Sequence, residues 1–375
     1  MKKALFYITT FLVIITLSFG SLLTVNAEEK TMIFDTSPIY ESLSDEVKER
    51  LNNLGMDINI PQSVDNITFD SIISEIGDIA AENMSLPFKG FITLLAIMLL
   101  VSLLSVYKDS LSGNVSSVLN TVSTLCVACA VVTPAVSVIN TSCSVINTAS
   151  TVMLAYVPIM AVIMSASGQF TAGGSYYAIM IAAGEGIGQV SSNLITPLLH
   201  LFLGLSVTGS IATDINLSGF TKLISKVIKW LLTFAMTIFT ALLSFKQLIA
   251  TSVDSVSSKA IKFSINSFVP IVGSALSDAY KTVQGSVHLL KSGVGVFVIV
   301  SIAIVLLPVI LQTLMWIISL WISKATAEVM GLTQVYKLLE SLSDVFSTLL
   351  AVLLCILAVY IISTALVLTI GGSVN

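Results

Sequence analysis

Runs of about twenty apolar residues recur along most of this chain, and each run is long enough to cross a bilayer as a helix. Polar residues and turn signals separate seven or eight such predicted spans. The weakest contains Glu185 and is rich in glycine. Segments of about ten alternating polar and apolar residues, which are typical of membrane β-barrels, do not occur in the sequence. The predicted fold class is therefore all-α, a polytopic integral membrane helical bundle with candidate spans at 90–106, 115–139, 145–166, 172–190, 194–211, 228–245, 294–322 and 345–370.

The stretch 259–295 departs from this pattern, because its apolar residues occupy only one side of a predicted helix. Pro270 and Gly273 interrupt the chain before that helix. A helix of this kind between true spans lies on the membrane surface, covers another protein face or lines a water-filled path. We keep all three interpretations. The last of them predicts a polar stripe that faces a lumen, formed by Asp278, Lys281, Gln284, His288 and Lys291.

The N-terminal residues are organised differently from the rest. Two lysines, a long apolar core and a small-residue motif predict a signal peptide that is cleaved between Ala27 and Glu28, and an uncleaved anchor is the alternative. Short amphipathic helices follow, which cannot bury a large core alone and must rest on the membrane domain or on a partner. The predicted domains are a signal peptide at 1–27, an acidic extracytoplasmic helical head at 28–88 and a polytopic membrane domain at 89–375 with amphipathic segments at 214–229 and 252–291.

Composition agrees with a membrane protein. Of the 375 residues, 55% are hydrophobic and only 10% are charged, with a mean hydropathy of +0.98, whereas a soluble domain carries about 25% charged residues. No basic cluster indicates binding to nucleic acid. Lys222, Lys226 and Lys229 share one helix face, and counting five spans from an external start places them in the cytoplasm, as the positive-inside rule expects. The same count places the lysines of 259–291 outside, so the orientation stays open.

The most polar position inside a predicted span is Glu185, with Gln189 one helical turn later. An ionised carboxylate within the bilayer is costly, so it should face a partner, water or the protein interior. The two residues are therefore a candidate intramembrane polar site that binds an ion or a proton. Alternatively, Glu185 lies near the membrane interface. Small residues at every fourth position predict close helix packing here, at Ala178, Ala182, Gly184, Gly186 and Gly188.

The sequence carries no motif for catalysis. Cys126 and Cys129 form a CxxC pair within a predicted span, where simple packing is the favoured interpretation. His200 and His288 have no carboxylate at helical spacing. Phosphate-binding loops, nucleophile elbows and zinc-binding helix motifs do not occur in the sequence. We therefore predict a protein that is not an enzyme and that needs no cofactor and no metal.

The sequence FVPIVG at 268–273, together with Ser277, Asp278, Gly285 and Lys291, resembles the stage III sporulation protein AE family of endospore-forming bacteria. The resemblance extends over most of the chain and is less specific around Glu185. It implies a multi-pass protein of the mother-cell membrane that surrounds the forespore. It also implies a subunit of a channel or secretion-like complex, whose partners are other stage III sporulation membrane proteins. The family has no catalytic motif to carry over to this chain.

Two classes of function remain open after this reading. In the first, the protein is a structural subunit of a conduit and has no chemistry of its own. In the second, it is an autonomous secondary transporter with a site at Glu185, and the interrupted segments 172–190 and 266–293 are a pair of broken helices. A transporter should work alone in liposomes, whereas a conduit subunit should need its partners.

Overall fold

The computed structural model describes residues 35–56, 68–106, 113–211, 217–242 and 273–369. Every regular element in these residues is helical, which confirms the predicted all-α class. The predicted signal peptide and its cleavage site at Ala27 and Glu28 lie outside the described residues. The helices are α1 (Ser37–Glu41), α2 (Asp45–Asn53), α3 (Phe69–Val106), α4 (Gly113–Ala166), α5 (Phe170–Val190), α6 (Thr196–Ile211), α7 (Ser218–Leu242), α8 (Gly273–Val329) and α9 (Thr333–Thr369).

Six helical segments in the described parts of the chain are long and apolar enough to cross a membrane. The sequence predicted seven or eight spans, and the difference arises because two predicted pairs are joined. The spans expected at 115–139 and 145–166 are one helix, α4, of 54 residues. The polar residues between them do not end the helix, since the Ser142 hydroxyl donates to the carbonyl of Val138 one turn earlier, at 2.7 Å.

The second joined pair is α5 and α6, which a π-helical turn at Ser191–Ile195 connects without a break. Pro197 lies just after this turn and cannot donate a backbone hydrogen bond, so the regular ladder is interrupted there. The backbone N–H of Thr196 donates to the carbonyl of Ser191, five residues earlier, which is the π-helical pattern. Proline therefore shifts the hydrogen bonding of this helix by one residue and does not end it.

The centre of the bundle is the antiparallel hairpin of α8 and α9. In their most apolar windows, 78% and 72% of the residues are buried, against 22% for α3 and 6% for α7. The chain reverses at Gly331, whose φ of 72° is the left-handed conformation that glycine adopts without strain. The N–H of Leu332 then caps α8 by donating to the carbonyl of Ala327 at 2.9 Å.

A second antiparallel hairpin, α4 with α5 and α6, packs against the first. Glycines allow its helices to approach closely, because a Cβ atom at Gly184 would lie 2.9 Å from the Leu154 side chain. Gly188 also faces α4, where a Cβ would lie 3.4 Å from Asn147 Oδ1. Part of the predicted small-residue pattern thus packs within the chain. The other part does not, since Ala178 and Ala182 are exposed on the outer face of α5.

The helices of the predicted head lie against the membrane helices. α1 contacts α4, α2 contacts α8, and the boundary predicted at residue 88 falls inside the continuous helix α3. Arg50 of α2 connects the two parts, because its guanidinium donates to Glu75 of α3 at 2.8 Å and also to Glu82 and Glu46. Burial opposes the charge on Arg50, but these hydrogen bonds outweigh it and raise the pKa of Arg50 above its usual value.

Candidate functional site

A layer of polar side chains crosses the middle of the bundle beside the π-helical turn. The Asn147 amide of α4 donates to the Ser192 hydroxyl at 3.1 Å, and Cys143 lies 3.6 Å from the same hydroxyl. One turn further along α4, the hydroxyls of Ser150 and Tyr360 are hydrogen-bonded at 2.7 Å. Since π-helical turns often occur at functional sites, this layer is the first candidate site.

The sequence did not single out these residues, although one signal was present. Asn147, Ser150 and Ser192 are polar residues in otherwise apolar helices, and such residues tend to face the interior of a bundle. Their partner Tyr360 belongs to α9, more than 200 residues away from Ser150. Only the packing of the two hairpins brings them together.

The predicted polar site lies next to this layer but on the other side of α5. Glu185 and Gln189 are both exposed, whereas Gly184 is buried against α4. In a membrane, an exposed carboxylate at this level would meet lipid unless a further protein surface or water covered it. The structure therefore does not bring Glu185 together with Asn147 or Ser192, and the ion or proton site remains a prediction.

The predicted lumen-facing stripe lies on the N-terminal part of α8. The backbone is helical from Gly273, as predicted, but the side chains of Asp278, Lys281, Gln284 and His288 lie outside the described residues. Lys291 is 1% exposed within the chain. The assignment of this stripe to a lumen stays a prediction.

The second candidate site is a cavity of about 860 Å³ at the end of the bundle where α6 and α8 end and α7 and α9 begin. Its walls are α6, α7 and α9, and its lining is mainly polar. Lys222, Lys226 and Lys229 come from the predicted amphipathic segment, and α9 adds Lys337. Hydroxyls and carboxylates of the lining come from Ser206, Ser210, Ser218, Thr221, Ser225, Ser341, Glu340 and Asp344.

The sequence pattern predicted the lysine face of α7, which is one wall of this cavity, but it did not indicate the other two walls. The three lysines of α7 share a face because they are four and three residues apart, which the helical period makes visible. Ser206 lies on the preceding helix α6 and Lys337 on the distant helix α9, and neither has a local pattern that marks it. The Ser225 hydroxyl of α7 and Thr348 of α9, 3.0 Å apart, hold two walls together.

The cysteines and the possible metal ligands are scattered over the described residues. No group of three or more His, Cys, Asp or Glu side chains there could hold a metal ion. Cys126 and Cys129 are exposed free thiols on α4. What the described side chains do offer is hydrogen bonding in the polar layer and positive charge in the cavity.

The family model described as Stage III sporulation protein AE matches residues 56–371. The Stage III sporulation protein AE of Bacillus subtilis (strain 168) is 23% identical over 222 residues, which are 59% of this chain and 55% of that protein. The match thus spans little more than half the length of this relative. No solved structure gives a significant match.

Proposed function

Since this chain belongs to the stage III sporulation protein AE family, we propose that it is a multi-pass membrane subunit of a channel or secretion-like complex that sporulation requires. The complex connects the mother cell with the forespore, and the protein contributes structure to it with no chemistry of its own. The observation that supports this proposal most is the extent of the family match, since residues 56–371 include all six described candidate spans.

The proposed function implies a definite arrangement of the protein in the cell. A cleaved signal peptide precedes an acidic head on the outer side of the mother-cell membrane, and the helices cross that membrane. The partners are other stage III sporulation membrane proteins and the lipid bilayer, in an oligomeric complex without nucleic acid. The outer face of α5 supports such an assembly, because its exposed Ala178 and Ala182 would let another helix approach closely.

A second candidate function is that of a secondary transporter that acts without partners. The polar layer at the π-helical turn favours it, because transporters place their sites in mid-membrane where a helix is irregular. The intramembrane site that the sequence predicts for this alternative, Glu185 and Gln189, lies on the opposite side of α5 from that layer. The two functions differ in whether the isolated chain is active.

Purification from sporulating cells tests the first proposal. We expect the tagged full-length protein, extracted in mild detergent, to co-purify with other sporulation membrane proteins, and we expect deletion of its gene to block spore formation. The matched control is the same tag on an unrelated multi-pass protein of that membrane. Recovery of the chain alone, with solute uptake when it is reconstituted alone in liposomes, would contradict the subunit proposal and support the transporter.

Glu185→Gln separates the predicted site from an incidental surface carboxylate. The substitution keeps the shape of the side chain and removes its charge, so a functional site predicts normal membrane insertion with a lower spore yield. Spore counts and immunoblots of membrane fractions provide the measurement. Glu328→Gln, at an exposed carboxylate at the end of α8, is the control. A wild-type spore yield at normal protein level would show that Glu185 has no such role.

A further inference from the structure

The cavity between α6, α7 and α9 carries more positive than negative charge. Four lysines line it, against the carboxylates of Glu340 and Asp344. Glu340 is already paired with Lys324, outside the cavity lining, at 2.8 Å. Within the described parts of the chain, none of the four lining lysines forms a salt bridge or a hydrogen bond, although Asp344 interacts electrostatically with Lys229 and Lys222. The cavity therefore has cationic groups that its own carboxylates do not neutralise.

The cavity also contains a buried hydroxyl without a partner. Ser206 of α6 is 2% exposed and lines the cavity, and its Oγ atom has no hydrogen-bond partner among the described residues. Leaving a buried donor unsatisfied is costly, so such groups usually have a partner in the protein, in ordered water or in a bound ion. The neighbouring serines of α6 and α7 provide further hydroxyl donors.

Two helix N-termini add to the positive electrostatic potential of the cavity. α7 starts at Ser218 and α9 at Thr333, and residues of the first turn of each helix line the cavity. The first N–H groups of a helix have no partner within it and carry the positive end of the helix dipole. Lysine ammonium groups, hydroxyls and helix N-termini are among the groups that bind phosphate in proteins.

From these three observations we propose that the cavity binds a phosphate-bearing anion. A volume of about 860 Å³ exceeds what a single phosphate ion fills and lies in the range of sites for small molecules. The phosphate could therefore belong to the headgroup of an anionic phospholipid or to a soluble compound. Because the cavity lies at the end of the apolar helices, both sources could reach it. This proposal goes beyond the subunit function and does not depend on it.

The competing explanation is that the lysines only mark the cytoplasmic side of the membrane. Lysines near the ends of spans are common there for reasons of topology alone. That explanation predicts that each lysine acts as a separate surface charge and that Ser206 has no effect. A site predicts that Lys226 of α7, Lys337 of α9 and Ser206 of α6 act on the same ligand from three walls.

The test uses the purified full-length protein in an uncharged detergent. One arm titrates sodium phosphate against sodium chloride at equal ionic strength, and the other adds phosphatidylglycerol against phosphatidylcholine. A ligand that binds only the folded protein raises the melting temperature with its concentration, which gives an apparent dissociation constant. We expect stabilisation by at least one phosphate probe over its control. Stabilisation by phosphatidylglycerol alone identifies a lipid headgroup, and stabilisation by both identifies a site open to soluble phosphate compounds.

Variants of the lining residues show whether the cavity causes the stabilisation by the phosphate probes. Lys226→Gln combined with Lys337→Gln removes one charge from each of two walls and should weaken binding by at least about tenfold, since one hydrogen bond to a charged group is worth that factor or more. Ser206→Ala should weaken binding several-fold without changing the charge. This variant still tests the cavity if the double variant does not fold. Lys89→Gln, at an exposed lysine of α3, is the matched control and should bind as the wild type does. If neither probe stabilises the wild type, or if the cavity variants bind as well as Lys89→Gln, the proposal is wrong.

Discussion

Arg50→Met is expected to detach α2 from α3, because it leaves the Glu75 carboxylate without its partner. The Arg50 and Glu75 side chains are only 10% and 11% exposed, and they form a hydrogen-bonded ion pair at 2.8 Å. Removing one member of a buried pair costs about 3–5 kcal/mol, while the exposed Glu46 and Glu82 contribute less. Amide hydrogen exchange in α1 and α2 should therefore become more than about a hundredfold faster.

Lys48→Met in the same helix is the matched control. Lys48 pairs with Asp45, which is fully exposed, and exposed pairs of this kind contribute little to stability. Arg50→Met combined with Glu75→Leu should recover much of the protection, since apolar residues can replace a buried ion pair at little cost. Equal exchange in Arg50→Met and Lys48→Met would show that the ion pair does not hold the head in place.

Gly90→Ala is expected to destabilise the contact between α3 and α8. A Cβ atom at Gly90 would clash with Cη2 of the Trp316 ring. The indole cannot easily move away, because it is 1% exposed and stacks on Phe346 with 5.8 Å between the ring centroids. Overpacking of this kind costs about 1–3 kcal/mol, and the melting temperature in detergent should fall by several degrees.

Gly77→Ala provides the control in the same helix. A Cβ atom at Gly77 would meet nothing within 4 Å, so alanine there should leave the melting temperature unchanged or raise it by its better helix propensity. Trp316→Leu should relieve the clash, so the effects of Gly90→Ala and Trp316→Leu should not add. If Gly90→Ala melts at the wild-type temperature, α3 must pack against α8 more loosely than the structure indicates.

The hydrophobic pattern predicted the helical class and most of the membrane helices, but it placed breaks where the structure has none. Residues around Ser142 are polar, yet the helix continues through them, because its own carbonyls accept hydrogen bonds from the hydroxyls. A new span was predicted to begin at residue 194, but a π-helical turn joins it to the preceding helix, with Pro197 just after the turn. Side-chain polarity and proline are weak signals of a helix end where the backbone can satisfy its hydrogen bonds in another way.

The candidate sites show a different limit of sequence reading. The three lysines of α7 could be grouped because the helical period relates them within eight residues. Ser206 and Lys337 join them only through the packing of α6 and α9 on α7. The same is true of Tyr360 and Ser150 in the polar layer. Periodicity relates residues on one helix, and contacts between distant helices depend on tertiary structure that no local pattern encodes.

The order of synthesis gives the central hairpin a particular part in the biogenesis of the protein. A chain is made from its N-terminus, so α3 to α7 leave the ribosome before α8 and α9 exist. The hairpin of α4 with α5 and α6 can already pack at that stage, but α3 still lacks α8, its main neighbour, and α6 still lacks α9. A nascent chain that ends before residue 273 therefore lacks the two helices that are buried most. Translation of the last two helices is therefore the step at which separately inserted helices become one cooperative domain, and premature termination there should leave the whole earlier part exposed to membrane proteases.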